Sequence, residues 1–261
     1  MREGETERGA SVNRLPELKR YFEEKLLSMQ NLREYLDASS VVSVELDPDI
    51  VYDLIVLVPD QVFETRFKNQ FGECFVVNSQ EHVPPVFTRF KSYGWLRKDF
   101  SSRLPIALWI FKRSVVLQDP KMDFETILGE YDVIFAKKRK EILRRKYIEF
   151  RSDRHNLRQA VYHHDDLAME LLRANVVKIA IEILILAHGQ PYPYKKWLPS
   201  EAKKYEGGPN IVGICTKFMQ ESEPKKLIAL SDELVGKIVE RLTSDNDFSI
   251  AFLTEWWLHL K

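Results

Sequence analysis

The sequence predicts an α+β protein: an N-terminal mixed sheet with flanking helices, followed by a C-terminal helical bundle. Three observations carry this. Short β-branched runs separated by turn residues fill the stretch from residue 40 to residue 117. From Phe124 onward every apolar pattern repeats at three- or four-residue steps, which is helical period. Strands first and helices afterwards divide a chain into two domains, here near residues 120–124.

In chain order, residues 1–14 read as a flexible tail, because Met1 to Ser11 is polar and lacks the apolar run of a secretory signal. Leu15, Leu18, Phe22, Leu26, Met29, Leu32 and Leu36 fall on one face of a helix. Val41–Leu46 and Val51–Val58 are extended, joined by Asp47-Pro48-Asp49, in which proline presets φ and the Asp side chains bond the local backbone. The second run, VYDLIVLV, is nearly all aliphatic, as a strand covered on both faces is, and Asp53 is its only charge. Val62–Phe71 reads as a helix capped by Gly72; Cys74–Val77, Val86–Phe90 and Ser114–Leu117 read as strands. Leu104–Phe111 fits either state. The first domain is thus 15–122. The second, 123–261, holds helices at Phe124–Phe150 (with a break near Gly129), His155–Ala174, Val176–His188, Ile211–Met219, Leu227–Leu242 and Ile250–Leu260.

Lys+Arg and Asp+Glu both number 39 among 261 residues, so net charge is zero. Such a balance gives no global attraction to nucleic acid or anionic lipid. Lys137 to Lys146 is the one basic run, read first as a solvated helix face and second as an RNA contact. Cys74 and Cys215 are too few for a cysteine zinc site and read as buried thiols in a reducing compartment. No run approaches the roughly eighteen apolar residues of a membrane span. The expected location is cytoplasmic, with no membrane partner.

Asp53 alternates with Ile55 and Leu57, so it must be paired, hydrogen-bonded or metal-bound to sit on that face. A helix, a small-residue pair and an apolar strand bearing Asp resemble the opening of the nucleotidyltransferase family, whose signature is Gly-Ser, about ten residues, then Asp-x-Asp in a strand. Ser39 and Ser40 match the Gly-Ser pair and Asp53 the second Asp; Val51 stands at the first. Asp47 and Asp49 are the alternative carboxylates. The third acid belongs on a later strand, where this chain has Arg89 and Lys91. Val115 to Pro120 resembles the closing strand, while the helix Asp165–His188 followed by Pro191-Tyr-Pro-Tyr-Lys-Lys-Trp197 resembles the helical domain of kanamycin-type relatives. The resemblance implies a nucleoside triphosphate in the cleft between the domains, with Mg²⁺ on Asp53, phosphates near Ser39 and Ser40, and Tyr194, Lys195 and Lys196 facing the ligand. The acceptor (small molecule, protein or RNA) is left open, as is the oligomeric state, a homodimer included.

Taken from the residues alone, PYPYKKW is a proline-stiffened loop placing aromatic faces beside two cations; those rings either meet a nucleotide or pack the loop onto the bundle. His163-His164-Asp165-Asp166 looks like a metal cluster, yet neighbours on a helix point about 100° apart. Arg158 and His163 also fit the Arg-x₄-His pattern of helical HEPN ribonucleases. Two functions remain: a nucleotidyltransferase with a degenerate metal site, or a catalytically inactive binding or regulatory module on that fold. A HEPN-type RNA-processing domain is a distant third.

Overall fold

The computed structural model describes residues 15–26, 35–47, 51–68, 75–79, 86–244 and 248–260. It contains two compact units, Met1–Asp132 and Val133–Lys261. The architecture is α+β, with strands in the first unit and, among the described residues, only helices and loops in the second.

The first unit is built on five strands: β1 (Ser40–Asp47), β2 (Val51–Val58), β3 (Phe75–Ser79), β4 (Val86–Ser92) and β5 (Val115–Gln118), in the order β3-β4-β2-β1-β5. The run VYDLIVLV is therefore the central strand, as its unbroken apolar character predicts. β1 and β2 form an antiparallel hairpin closed at Asp47↔Val51; its turn, 48–50, lies outside the described residues. β4 runs parallel to β2, while β3 and β5 pair antiparallel with β4 and β1. Pro59 ends β2 and precedes the next helix, since proline brings no N–H to a ladder.

One sheet face carries Val41, Leu54, Val56, Val86 and Phe90, all buried. They pack with Tyr21 and Phe22 from α1 (Leu15–Tyr21, continued as a π-helical turn, Phe22–Leu26). Phe63 and Phe67 from α2 (Asp60–Val62, continued by Phe63–Lys68) complete that layer. Of the rest of the helix expected up to Leu36, residues 27–34 lie outside the described residues, as do Gly72 and Cys74. Removing apolar area from water at about 25 cal/mol per Å² is the main force holding this layer to the sheet.

The ambiguous Leu104–Phe111 is helical, the end of α3 (Tyr93–Phe111). Ser92 caps α3 by accepting from the Trp95 N–H at 3.0 Å. Its backbone leaves helical geometry at Arg103 (φ −145°, ψ 49°), two residues before Pro105, because an interior proline removes a helical donor and crowds the preceding turn.

The three helices expected at Phe124–Phe150, His155–Ala174 and Val176–His188 are two. Asp123–His163 is continuous (α4), and Gly129 does not break it. The true break lies at His164, with φ 56°, and Asp165, whose side chain accepts from the Ala168 N–H at 3.0 Å to cap α5 (Asp166–Ala187). The short α6 (Leu198–Ala202), α7 (Gly208–Gln220), α8 (Pro224–Ser244) and α9 (Ile250–Thr254, followed by a 3₁₀ turn, Trp256–His259) complete the second unit. Trp256 is buried there and Trp257 exposed. Among the described residues no helix is long and apolar enough to cross a membrane.

Candidate functional site

Asp53, Ile55 and Leu57 share the sheet face opposite the α1 layer, together with Arg89 on β4, which sits beside Ile55. Ile55 and Leu57 are buried, whereas the Asp53 side chain keeps 19% of its exposure and Arg89 44%. The Arg89 guanidinium lies 3.0 Å from Asp53 Oδ1. The carboxylate is thus compensated by an arginine on the neighbouring strand, where the family pattern places an acid. Lys91, next along the same face, holds its ammonium 5.0 Å from the Trp95 ring centre.

A divalent ion of the Mg²⁺ type needs several hard oxygen ligands at near-octahedral geometry. Here one carboxylate faces a guanidinium and Val51 adds no oxygen from its side chain, so these residues do not fit such an ion. Among the described residues no group of three His, Cys, Asp or Glu side chains is placed to hold a metal. The expectation for Asp49 lies outside the described residues, and so does that for the Asp47 side chain.

Ser39 and Ser40 are fully buried at the opposite end of the hairpin. Ser40 pairs with Leu57, and Asp53 with Val44, so four residues separate the serine from the aspartate, about 13 Å along the strand. The register does not bring them together. Their hydroxyls also have other work. Ser39 donates to the Tyr35 carbonyl at 2.6 Å. Ser40 donates to Asp119 Oδ1 at 2.6 Å and accepts from the Tyr93 hydroxyl at 2.6 Å. Burial, aided by Asp123 and Asp119, raises the Tyr93 pKa against the opposing pull of the Ser40 bond, keeping the phenol a donor. Asp119 receives the Glu125 N–H at 3.1 Å and the Phe124 N–H at 3.4 Å. Asp119-Pro120 is therefore a helix entry, tied to the first residue of β1 through Ser40.

In the second unit, the PYPYKKW loop divides its residues. Tyr192 is buried, Tyr194 half-buried, and Lys195 and Lys196 exposed. Lys196 Nζ stands 4.0 Å from the Trp197 ring centre. Behind the loop, Glu182 of α5 is buried and bridged by Lys146 at 2.8 Å and Lys178 at 3.6 Å. Burial opposes the Lys146 charge, but the Glu182 carboxylate outweighs it and raises the lysine pKa. Burial first, then Glu182, pushes the Tyr192 phenol up to about 12. This ion cluster was not visible in the sequence; a Glu among Ile and Leu in IEILIL was its only signal. His163 and His164 are exposed at the α4–α5 turn, and Arg158 pairs with Asp232 at 2.8 Å.

Neither a family model nor a curated protein sequence matches the chain. Among solved structures, the nucleotidyltransferase-like protein from Exiguobacterium sibiricum 255-15 superposes over 87% of this chain and 75% of its own, with a TM-score of 0.53 and 11% sequence identity. At that identity the likeness is one of fold. The chain has a nucleotidyltransferase-like fold.

Proposed function

We propose that this protein is a nucleotidyltransferase-fold binding or regulatory module that has lost metal-dependent transfer. The observation that carries the reading is the Asp53–Arg89 pair. Transfer of a nucleotidyl group relies on carboxylate-bound metal to neutralise phosphate charge and activate the acceptor. Arg89 occupies the neighbouring position with the opposite charge and consumes the one acid of the strand. The ligand class that fits the fold is a nucleoside triphosphate. The exposed Lys195 and Lys196 and the half-buried Tyr194 are the proposed contacts from the helical unit, whose likeness to the kanamycin-type partner domain belongs to the same reading. Ser39 and Ser40 act in the reading as structural ties.

Two measurements test it. Pyrophosphate release from labelled nucleotide, with Mg²⁺ or Mn²⁺ and a panel of small-molecule, protein and tRNA acceptors, should stay at background. Turnover that disappears in Asp53→Asn would overturn the loss of chemistry. Thermal shift with ATP, GTP and CTP, each with Mg²⁺ and with EDTA, should show stabilisation by at least one nucleotide that EDTA does not remove. Stabilisation that requires Mg²⁺ and vanishes in Asp53→Ala would return Asp53 to the role of metal ligand.

A further inference from the structure

The second unit contains a concave pocket of about 690 Å³, between α4 and the C-terminal segment, lined by Lys140 and Arg144 on one side and by Phe248, Phe252 and His259 on the other. That volume is in the range of small-molecule sites, which run from about 300 to 1,000 Å³. Three rings stand in sequence: Phe248 and Phe252 with centres 5.1 Å apart, then Phe252 and His259 at 5.2 Å. Two cations one helical turn apart overlie them. The Arg144 guanidinium sits 4.9 Å from the Phe252 centre and donates to His259 Nδ1 at 3.0 Å. The Lys140 ammonium sits 5.7 Å from the Phe248 centre. Glu255 adds an acceptor at the rim.

Each feature selects a different part of one ligand. Aromatic rings in the pocket wall, of which Phe248 and His259 are half-buried, take a planar heterocycle. Exposed Arg and Lys beside them take a phosphate, the arginine through its planar fork. A carboxylate at the rim accepts from an exocyclic amino group. A simple anion would make no use of the rings, and a purely apolar ligand no use of the cations. We infer that this pocket binds a nucleobase carrying a phosphate, either as a free nucleotide or as the exposed end of a single-stranded RNA. Lys140 and Arg144 belong to the basic run Lys137–Lys146, so part of that run is a binding surface. The site lies wholly within the second unit and does not depend on the fate of Asp53.

The test is calorimetric titration of the full chain with AMP, adenosine and the RNA hexamer rA6. Arg144→Gln, Phe252→Leu and, as a charge control elsewhere on the unit, Lys217→Gln are titrated alongside wild type. AMP or rA6 should bind, and adenosine should bind roughly tenfold more weakly. Arg144→Gln and Phe252→Leu should each weaken binding by roughly tenfold, with Lys217→Gln matching wild type, given what a stacked ring and a charge-assisted phosphate bond contribute. Equal binding of AMP and rA6 assigns the free nucleotide; binding of rA6 alone assigns the strand end. Leucine retains apolar volume at position 252, and Arg144 is exposed, so Arg144→Gln decides the matter even where Phe252→Leu melts early. The inference is overturned if neither AMP nor rA6 binds wild type, or if nucleotide binds Arg144→Gln as tightly as wild type. The second result would move the nucleotide to another site, the sheet face of the first unit included.

Discussion

Each unit sets a carboxylate within an apolar run, Asp53 in VYDLIVLV and Glu182 in IEILIL, and the two are handled at different depths. Glu182 on α5 retains 3% of its side-chain exposure and is bridged by Lys146 at 18%. Asp53 on β2 retains 19% and faces Arg89 at 44%. A deeply buried charge cannot lose its partner without being left desolvated, which costs about 3–5 kcal/mol. A pair near the surface is screened and contributes about 0–1 kcal/mol. Burial therefore makes the helical pair structural, whereas the sheet pair is cheap to change. The contrast shows how a strand carboxylate near the surface can change partners at little cost to its sheet.

The largest expected effect comes from the deep pair. Lys146→Met should lower unfolding free energy in urea by about 3–5 kcal/mol, while the double substitution with Glu182→Leu should recover most of it. A loss below about 1 kcal/mol would place Glu182 in the screened class of Asp53 and break the comparison.

Alkali should act on the helical unit through the same burial. Cys215 is buried and its thiol is pushed from 9.0 up to about 12; Tyr192 moves from 10.0 up to about 12. Both pKa values are raised on folding, so both groups contribute stability that is complete below the unfolded values and is lost as pH climbs towards 12. Urea midpoints should be flat from pH 7 to 8.5 and fall steadily above about 9. Cys215→Ala should soften the early part of that fall; an unchanged slope would remove the thiol from the account.

What the sequence disclosed follows the same divide between local and distant causes. The strands were legible because β-branched runs and the Asp-Pro-Asp turn are local statements, and β2 was legible as central because it is apolar on both faces. The Asp53 alternatives could be posed, but Arg89 as its partner depended on β4 lying parallel to β2, which no short-range pattern gives. Ser40 and Asp119 are 79 residues apart, and Arg144 and His259 are 115 apart, so neither site could be read by spacing. The break expected near Gly129 is absent for a physical reason. Gly129 has nothing within 4 Å of a would-be Cβ, and an exposed glycine costs a helix only about 1 kcal/mol, so tertiary packing carries the helix through it. His163-His164-Asp165-Asp166, with the look of a ligand cluster, is the turn that ends α4.

A smaller effect is expected at the tie between β1 and α4. Asp119→Ala removes the Ser40 bond and both acceptors for the helix-entry N–H groups. The loss should be about 1–2 kcal/mol. Ser40→Ala, which spares the helix cap, should cost less than Asp119→Ala. The reverse order would mean that the serine has a function beyond tying the strand.

The smallest effect on stability falls on the sheet pair, and it is the most informative about function. Asp53→Asn and Arg89→Met should each shift unfolding free energy by about 1 kcal/mol or less, with a coupling of about 0.5 kcal/mol in the double-mutant cycle. A coupling above about 2 kcal/mol would mean that the pair is structural like Lys146–Glu182, and Arg89 could not then be read as a replaceable group in a former site. The cycle has a second arm. Arg89→Glu sets two carboxylates side by side on β2 and β4, where like charges repel and each favours a shared cation. Without metal this variant should melt below wild type; with millimolar Mn²⁺ its melting temperature should rise, while wild type, whose Asp53 is already matched by a guanidinium, should not respond. A wild-type rise equal to that of Arg89→Glu would show that metal reaches Asp53 despite the arginine, and that the pair on the sheet is a gate rather than a replacement.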